Sequence, residues 1–177
     1  MNYQEYFHKL FPGFFEREYI RNMGEGSVYE ELIMDLHAFS AEEHKLAYPE
    51  GITFGMYDGE MEPLHAAVAE VDETWVQYFQ KGNRIYCAFD GDKVVSFCML
   101  SDFGVYEDKK IGGPGCVGTI PSYRKQGIGL KMVQNATEIL KADGYDISHI
   151  HYTGVGPWYA HLGYEVVLRW NGKGFVD

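Results

Sequence analysis

Several features that would assign this chain to a particular class of proteins are missing from it. Its 177 residues contain no internal repeat and no low-complexity segment. No apolar run approaches the roughly 18 residues that a membrane-spanning helix needs, so a membrane protein is not expected. The three cysteines form no C-x-x-C pair, which favours reduced thiols in a reducing, cytoplasmic compartment. The N-terminal segment is broken by Pro12-Gly13 and is unlike a signal peptide.

Positive charge is also scarce. Lys and Arg number 15 against 26 Asp and Glu, which gives a formal net charge of -11 at pH 7. Binding to a phosphate backbone requires a surplus of Lys and Arg, so nucleic acid is not expected as a partner. The acidic balance is that of an ordinary solvated surface, and it is also compatible with a cationic acceptor such as an amine.

The periodicity of apolar residues predicts two regions. Residues 1–48 look helical, with one amphipathic stretch at 14–20 and a second helix that begins at an N-cap on Ser27 and runs through Leu36. From Ile52 onward the order is β-α-α-β-β-β-α-β-α-β, which predicts an α/β fold with a mixed sheet. The strands are expected at 52–57, 84–89, 94–100, 115–120, 146–153 and 164–170, and the helices at 64–71, 74–79, 128–142 and 158–162.

The helix after residue 127 is the most regular in the sequence. One face is apolar and consists of Ile128, Met132, Ala136, Ile139 and Leu140. The opposite face is polar and is expected in solvent: Lys131, Gln134, Asn135, Glu138 and Lys141. Asp143-Gly144 ends the helix.

The turn that leads into this helix is a candidate anion site. A strand ends at Pro121, and Arg124-Lys125-Gln126-Gly127-Ile128-Gly129 follows directly. A helix start combines unpaired N–H groups with the positive end of the helix dipole, and glycine allows a bulky anion to approach. The dinucleotide fingerprint G-x-G-x-x-G fails at Met132, and no Gly-Lys-Ser/Thr of a Walker loop is present. Taken alone, the two glycines fit an ordinary tight turn better than an anion site.

Two motifs together carry a family resemblance. Arg124-x-x-Gly127-x-Gly129 resembles the R/Q-x-x-G-x-G/A signature of the GNAT N-acetyltransferases, and Trp158-Tyr159 through Gly163-Tyr164 resembles a later element of that family. The resemblance implies a GNAT-type mixed, splayed sheet flanked by helices at residues 49–177. Residues 1–48 would then be an N-terminal helical extension.

The resemblance also implies a cofactor and roles for its site residues. The co-substrate would be acetyl-CoA, with its pantetheine arm on the strand backbone of Val117, Gly118 and Thr119. Its pyrophosphate would be held by the N–H groups of Lys125, Gln126, Gly127, Ile128, Gly129 and Leu130, with added positive charge from the side chains of Arg124 and Lys125. Tyr159 would protonate the departing thiolate; the alternative is an aromatic residue that only fills the core.

The two motifs assign no general base, because the strand at 115–120 lacks the acidic residue that many relatives carry. His149 and His151 alternate onto one face of their strand, and an imidazole can take a proton from an amine near neutral pH. His151 is therefore the candidate base, with a chain of waters or a purely structural histidine as alternatives. No metal is expected; a metal site would need His149, His151 and His161 with Asp146 or Glu165.

These observations predict an acetyl-CoA-dependent N-acetyltransferase that acts on a primary amine. A small-molecule acceptor is favoured, and residues 115–121 with Trp158-Tyr159 faintly resemble GNAT domains found alongside amino-sugar hydrolases, which suggests an amino sugar. The alternatives are a protein N-acetyltransferase and a non-catalytic acyl-CoA sensor. The apolar residues of the N-terminal segment should pack on the domain or on a second copy of the chain, which would make it a homodimer.

Overall fold

A computed structural model describes residues 1–177 and contains eight strands and five α-helices. The strands are β1 (Tyr29–Asp35), β2 (Ile52–Met56), β3 (Ile85–Asp90), β4 (Lys93–Tyr106), β5 (Lys109–Thr119), β6 (Ile147–Thr153), β7 (Glu165–Asn171) and β8 (Gly174–Val176). The helices are α1 (Tyr3–Leu10), α2 (Glu18–Arg21), α3 (Met61–Val71), α4 (Ile128–Ala142) and α5 (Gly156–Ala160). Short 3-10 turns lie at Phe14–Glu16, Glu73–Tyr78 and Pro121–Tyr123.

All eight strands belong to one sheet, in the order β2-β3-β4-β5-β6-β1-β7-β8. Only β5 and β6 run parallel, so the predicted mixed α/β sheet flanked by helices is confirmed. Helix α3 packs on one face of the sheet and α4 with α5 on the other. None of the helices combines the length and the apolar character that crossing a membrane requires.

The predicted helix at residues 27–36 was wrong, because these residues form the central strand β1. It lies between β6 and β7 and runs antiparallel to both. A central strand is covered on both faces and therefore lacks the alternation of polar and apolar residues that identifies a strand. The acidic pair Glu30-Glu31 instead imitated the first turn of a helix. Residues 29–35 are thus part of the same sheet as residues 49–177.

The first 23 residues form an N-terminal arm that crosses the sheet on the same side as α3. Its helices α1 and α2 agree with the predicted helical character of this region. Phe7, Phe11, Phe14 and Ile20 of the arm are buried with Trp170 of β7 in one apolar cluster. The arm therefore packs on the sheet of its own chain.

The polar face of α4 was expected in solvent, and most of it is buried. Lys131, Gln134 and Asn135 are each less than 10% exposed. Residues 36–51, the covering segment, lie across Lys131 and Gln134, whereas Asn135 Nδ2 donates to the Tyr86 hydroxyl of β3 at 3.3 Å. The segment has few regular hydrogen bonds of its own, and its carbonyls accept bonds from the helix. Gln134 Nε2 donates to the carbonyl of His44 at 2.7 Å, and Lys141 Nζ donates to that of Phe39 at 2.6 Å.

Candidate active site

The turn before α4 presents a continuous row of free backbone donors. The N–H groups of residues 125–130 make no hydrogen bond within the chain; the first bond of the helix runs from Lys131 N to Gly127 O at 3.1 Å. Lys125 and Gly127 have positive φ angles of 63° and 78°. This alternation of backbone conformation turns successive N–H groups toward one point, which creates an anion-binding concavity at the positive end of a 15-residue helix.

These donors line a groove of about 490 Å³ that extends to Tyr159. Of the residues predicted to bind the cofactor, all but Gln126 line this groove. The predicted residues on the groove are Val117, Gly118, Thr119, Arg124, Lys125, Gly127, Ile128, Gly129, Leu130 and Tyr159. The sequence analysis missed Val71, Tyr123 and Val155, which belong to separate loops and helices and carry no recognisable motif, and it assigned Trp158 to no site.

The two glycines of the turn serve different purposes. A Cβ on Gly127 would meet no atom within 4 Å, so this position is open to the groove, as the anion-site hypothesis requires. A Cβ on Gly129 would lie 2.8 Å from Thr119 Oγ1 and 3.4 Å from the Trp158 ring. Gly129 therefore also permits the close packing of α4 against β5 and α5.

Strands β5 and β6 separate directly beside the groove. They pair only at Ile111 with Ile147 and at Gly112 with Ser148. Beyond these pairs, the edge of β5 that faces β6 has no partner strand through Thr119. A β-bulge opposite Cys98 interrupts β5 in this stretch, where Cys116 has a φ of 46°. An unpaired strand edge with free backbone groups can bind an extended, amide-containing chain.

Tyr159 enters the groove from α5. Its side chain is 6% exposed, and burial raises its pKa, so the phenol keeps its proton at neutral pH. The ring packs edge-on against Trp158, with 4.9 Å between the ring centroids. The hydroxyl makes no hydrogen bond to the chain. Asn135 Oδ1 is the one fully buried side-chain oxygen or nitrogen that lacks a partner, so the Tyr159 hydroxyl must be partly accessible. Tyr159 thus presents a free proton donor to the groove.

His151 lies on the other face of the sheet and does not line the groove. Its Nδ1 is 2.9 Å from Oε2 and 3.1 Å from Oε1 of Glu31 on β1. The imidazole stacks on Phe11 of the arm at a centroid distance of 3.9 Å and an interplanar angle of 11°. The sequence analysis missed Glu31 as a partner because it assigned this segment to a helix.

Glu31 is the centre of a buried hydrogen-bond network. Besides His151, it accepts bonds from His149 Nε2 at 2.7 Å, Trp170 Nε1 at 2.7 Å and the Tyr152 amide at 3.1 Å. Burial alone raises the pKa of Glu31, but the hydrogen bonds from His149 and His151 outweigh it and lower the pKa to about 2. Burial lowers the pKa of His149, so the carboxylate carries the charge and His149 is neutral.

The set of residues considered for a metal does not come together. His161 is exposed on another element, and Asp146 bonds His37 and the amide of Lys110. The nearest approach to a metal-binding group is Glu31 with His149 and His151, whose potential ligand atoms lie within 4.8 Å of one another. Those atoms already bond one another, and Tyr6 occupies the second ring nitrogen of His149 at 2.9 Å.

The family assignment follows from comparison with known proteins. Residues 40–167 match the model of the acetyltransferase (GNAT) domain. The chain belongs to the GNAT family. The predicted family is confirmed, and the enzyme class predicted from it is the one that the family model describes. A search of curated protein sequences finds no match to this chain.

Solved GNAT structures share the fold at low sequence identity. One is the GCN5-related glucosamine N-acetyltransferase region of a fungal multi-domain GH3 beta-N-acetylglucosaminidase, at 22% identity and a TM-score of 0.70. Two others are GCN5-related N-acetyltransferases from Kribbella flavida (21%, TM-score 0.57) and Sphaerobacter thermophilus (19%, TM-score 0.60). The alignments cover 82%, 80% and 81% of this chain but only 20%, 55% and 50% of those proteins.

Proposed function

We propose that this GNAT enzyme transfers the acetyl group of acetyl-CoA to a primary amine of a small molecule. The observation that carries the proposal is the groove itself, which joins free N–H donors at residues 125–130 to a protonated phenol at Tyr159. The donors and the basic side chains of Arg124 and Lys125 fit a pyrophosphate. The unpaired edge of β5 at Val117–Thr119 fits the pantetheine arm.

Acetyl-CoA supplies an activated acyl group, held by a thioester that an amine can attack directly. Tyr159 keeps its hydroxyl proton at neutral pH because burial raises its pKa, and no group of the chain competes for that proton, so it is available to the departing sulfur. Backbone N–H groups on the unpaired edge of β5 can polarise the thioester carbonyl. The N–C bond forms as the C–S bond breaks.

His151 is proposed as the group that takes the proton released by the amine. Tyr159 and α5 occupy the α4 side of the gap between β5 and β6, which leaves the opposite face for the acceptor. His151 projects from β6 on that opposite face, three residues beyond Ser148, the last residue of β6 that pairs with β5. Its side chain is 21% exposed, so it is within reach of solvent and of a bound acceptor.

An amino sugar is the acceptor we propose to test first. The fungal region with the same fold is described as a glucosamine N-acetyltransferase, and the net charge of -11 suits a cationic amine. A peptide amine is the second acceptor class to test. We further propose a cytoplasmic location, in keeping with the buried, free thiols of Cys87 and Cys98. Whether the chain forms a homodimer is a separate property to measure.

The deciding experiment is a screen of amines with acetyl-CoA, read by release of free thiol and by the mass of the product. Glucosamine, aliphatic amines and peptides with a free N-terminus or lysine form the panel. Turnover of a small-molecule amine supports the proposal. Binding of acetyl-CoA without turnover of any amine would instead support a sensor, and exclusive turnover of peptides would support a protein N-acetyltransferase.

A further inference from the structure

The N-terminal arm and β1 surround His151, the histidine proposed above as the base. We propose that they complete the catalytic site: Glu31 and Phe11 are positioning residues that hold His151 with its Nε2 directed at the acceptor amine. The inference rests on the proposed function, because it takes His151 as the base. It makes the arm a part of the active site and gives a role to residues outside the two GNAT motifs.

Glu31 fixes which nitrogen of His151 carries the proton. The carboxylate is ionised and can only accept hydrogen bonds, so Nδ1 must donate to it. In the neutral ring the lone pair then lies on Nε2. No group of the chain makes a hydrogen bond to this Nε2. Since Asn135 Oδ1 is the single fully buried side-chain oxygen or nitrogen without a partner, Nε2 of His151 must be partly accessible. The free base of the imidazole therefore faces away from the core.

Phe11 fixes the plane of the ring. It stacks almost parallel to His151, and Phe14 packs edge-on at a centroid distance of 5.2 Å. A ring held by a carboxylate at one nitrogen and by a parallel phenyl group has little freedom to rotate about χ2. Such pre-organisation matters for a base, because proton transfer requires its nitrogen within hydrogen-bond reach of the amine.

The charges around the pair suit a base that becomes an imidazolium. The titratable groups that face it are Glu31 on β1, His149 and Tyr152 on its own strand, and Tyr6 of the arm through His149. His149 is neutral, and no Lys or Arg pairs with Glu31. When Nε2 takes the proton of the attacking amine, the new positive charge lies beside a single buried carboxylate that stabilises it.

The test begins with the tautomer of His151 in the full-length protein, read by long-range ¹H–¹⁵N NMR of histidine-labelled samples. The wild type should carry its proton on Nδ1. In Glu31→Gln the side-chain NH₂ can donate a hydrogen bond to Nδ1 of His151, where the carboxylate could only accept one. The imidazole proton should then shift to Nε2, and Nε2 would no longer offer a lone pair to the acceptor amine. This variant should lose about 10²-fold in kcat with little change in acetyl-CoA affinity.

The pH dependence separates positioning from simple structural support. Without the carboxylate beside Nδ1, an imidazolium loses its counter-charge, so the acidic limb of kcat/KM in Glu31→Gln should lie at lower pH than in the wild type. Ionisation of the acceptor amine also contributes to that limb, but it is the same for both enzymes and cannot move. A variant with unchanged kcat and an unmoved limb would overturn the inference.

A second pair of variants keeps the inference testable if Glu31→Gln does not fold. Phe11→Leu removes the stacked ring and should lower kcat several-fold. Phe15→Leu is the matched control, because Phe15 belongs to the same aromatic cluster but contacts neither His151 nor Glu31. Equal kcat for the two variants would overturn the inference. If wild type turns over no amine, the proposed function fails, and a proton on Nε2 of wild-type His151 would then overturn the positioning role by itself.

Discussion

The ammonium of Lys131 lies 4.1 Å from the centre of the Tyr48 ring. Lys131 is 6% exposed and has no carboxylate partner; its Nζ donates to Gln134 Oε1 at 2.9 Å. A buried ammonium without an anion is costly, and the electron-rich face of an aromatic ring offsets part of that cost. Tyr48 thus links the covering segment to α4, the helix whose first turn lines the groove.

Replacing Tyr48 should therefore weaken the fold even though the residue is largely exposed. Tyr48→Leu removes the aromatic face and should lower the free energy of unfolding by about 1 kcal/mol. Tyr48→Phe retains the face and should stay close to wild type. Urea denaturation of the three proteins measures the difference, and equal losses in the Leu and Phe variants would show that the cation–π contact is not what matters.

The sequence could predict the groove that we propose for the cofactor, because short local patterns build it. The turn at 124–129 and the apolar face of α4 depend on glycine conformation and a 3.6-residue period, both of which can be recognised without knowing the tertiary fold. The same argument explains why Tyr159 could be placed: its motif lies on one short helix. These residues meet in the structure as the local patterns require.

The surroundings of His151, the proposed acceptor side, could not be predicted in the same way. Glu31 is 120 residues from His151 in sequence, and only the insertion of β1 between β6 and β7 brings them together. The residues of a central strand do not alternate between a polar and an apolar face, so no local sequence pattern distinguished β1 from a helix. The burial of Gln134 has a similar origin, since an irregular segment covers this part of the helix through the backbone carbonyl of His44 rather than through an apolar pattern.

Reversing one charge at the turn should weaken cofactor binding. Lys125 is exposed, lines the groove and contributes one of the free N–H donors, so Lys125→Glu places a negative charge beside the pyrophosphate. Acetyl-CoA affinity should fall at least tenfold, or about 1.4 kcal/mol, in calorimetric titrations at low salt. Lys81→Glu makes the same change in net charge on an exposed loop away from the groove. Equal affinities of the two variants would remove the turn from the site.

Stability should decline as the pH falls below neutrality. Burial lowers the pKa of His149, so below pH ~6.5 the unfolded chain binds a proton that the native His149 resists. The pKa of Glu31 is also lowered, from 4.5 to about 2, so its contribution is complete above pH 4.5 and is lost as the pH falls toward 2. Both effects have the same sign.

Melting temperatures from pH 8 to pH 4 can test this linkage. The wild-type curve should be nearly flat above pH 7 and should fall increasingly below pH ~6.5. His149→Gln cannot take up the proton and should show a shallower slope between pH ~6.5 and 5. A wild-type curve that is level down to pH 5, or a variant with the same slope, would contradict the assignment of a neutral buried His149.

Removal of the arm should expose apolar surface without removing a strand. A cut after residue 46 would also delete β1, so the informative variant lacks residues 1–23 and keeps the bond from Gly172 N to Gly24 O at 2.7 Å. We expect a lower melting temperature, binding of a hydrophobic dye and loss of monodispersity, because Trp170 and the rings of His149 and His151 lose their cover. A truncated protein with unchanged melting and no dye binding would show that the arm is not part of the fold.

Substitution of Tyr159 separates an acid from a packing residue, since Tyr159→Phe keeps the ring against Trp158 and removes only the hydroxyl. That hydroxyl bonds no other group of the chain, so its loss should cost little stability. Turnover on the identified acceptor should fall by about 10²–10⁴-fold, the usual contribution of a positioned acid, with nearly unchanged acetyl-CoA affinity. The defect should shrink with an acyl donor whose thiol is more acidic, because that thiolate needs less protonation as it leaves. A packing residue would instead leave turnover nearly unchanged with either donor, and that outcome would remove Tyr159 from the mechanism while leaving the cofactor groove in place.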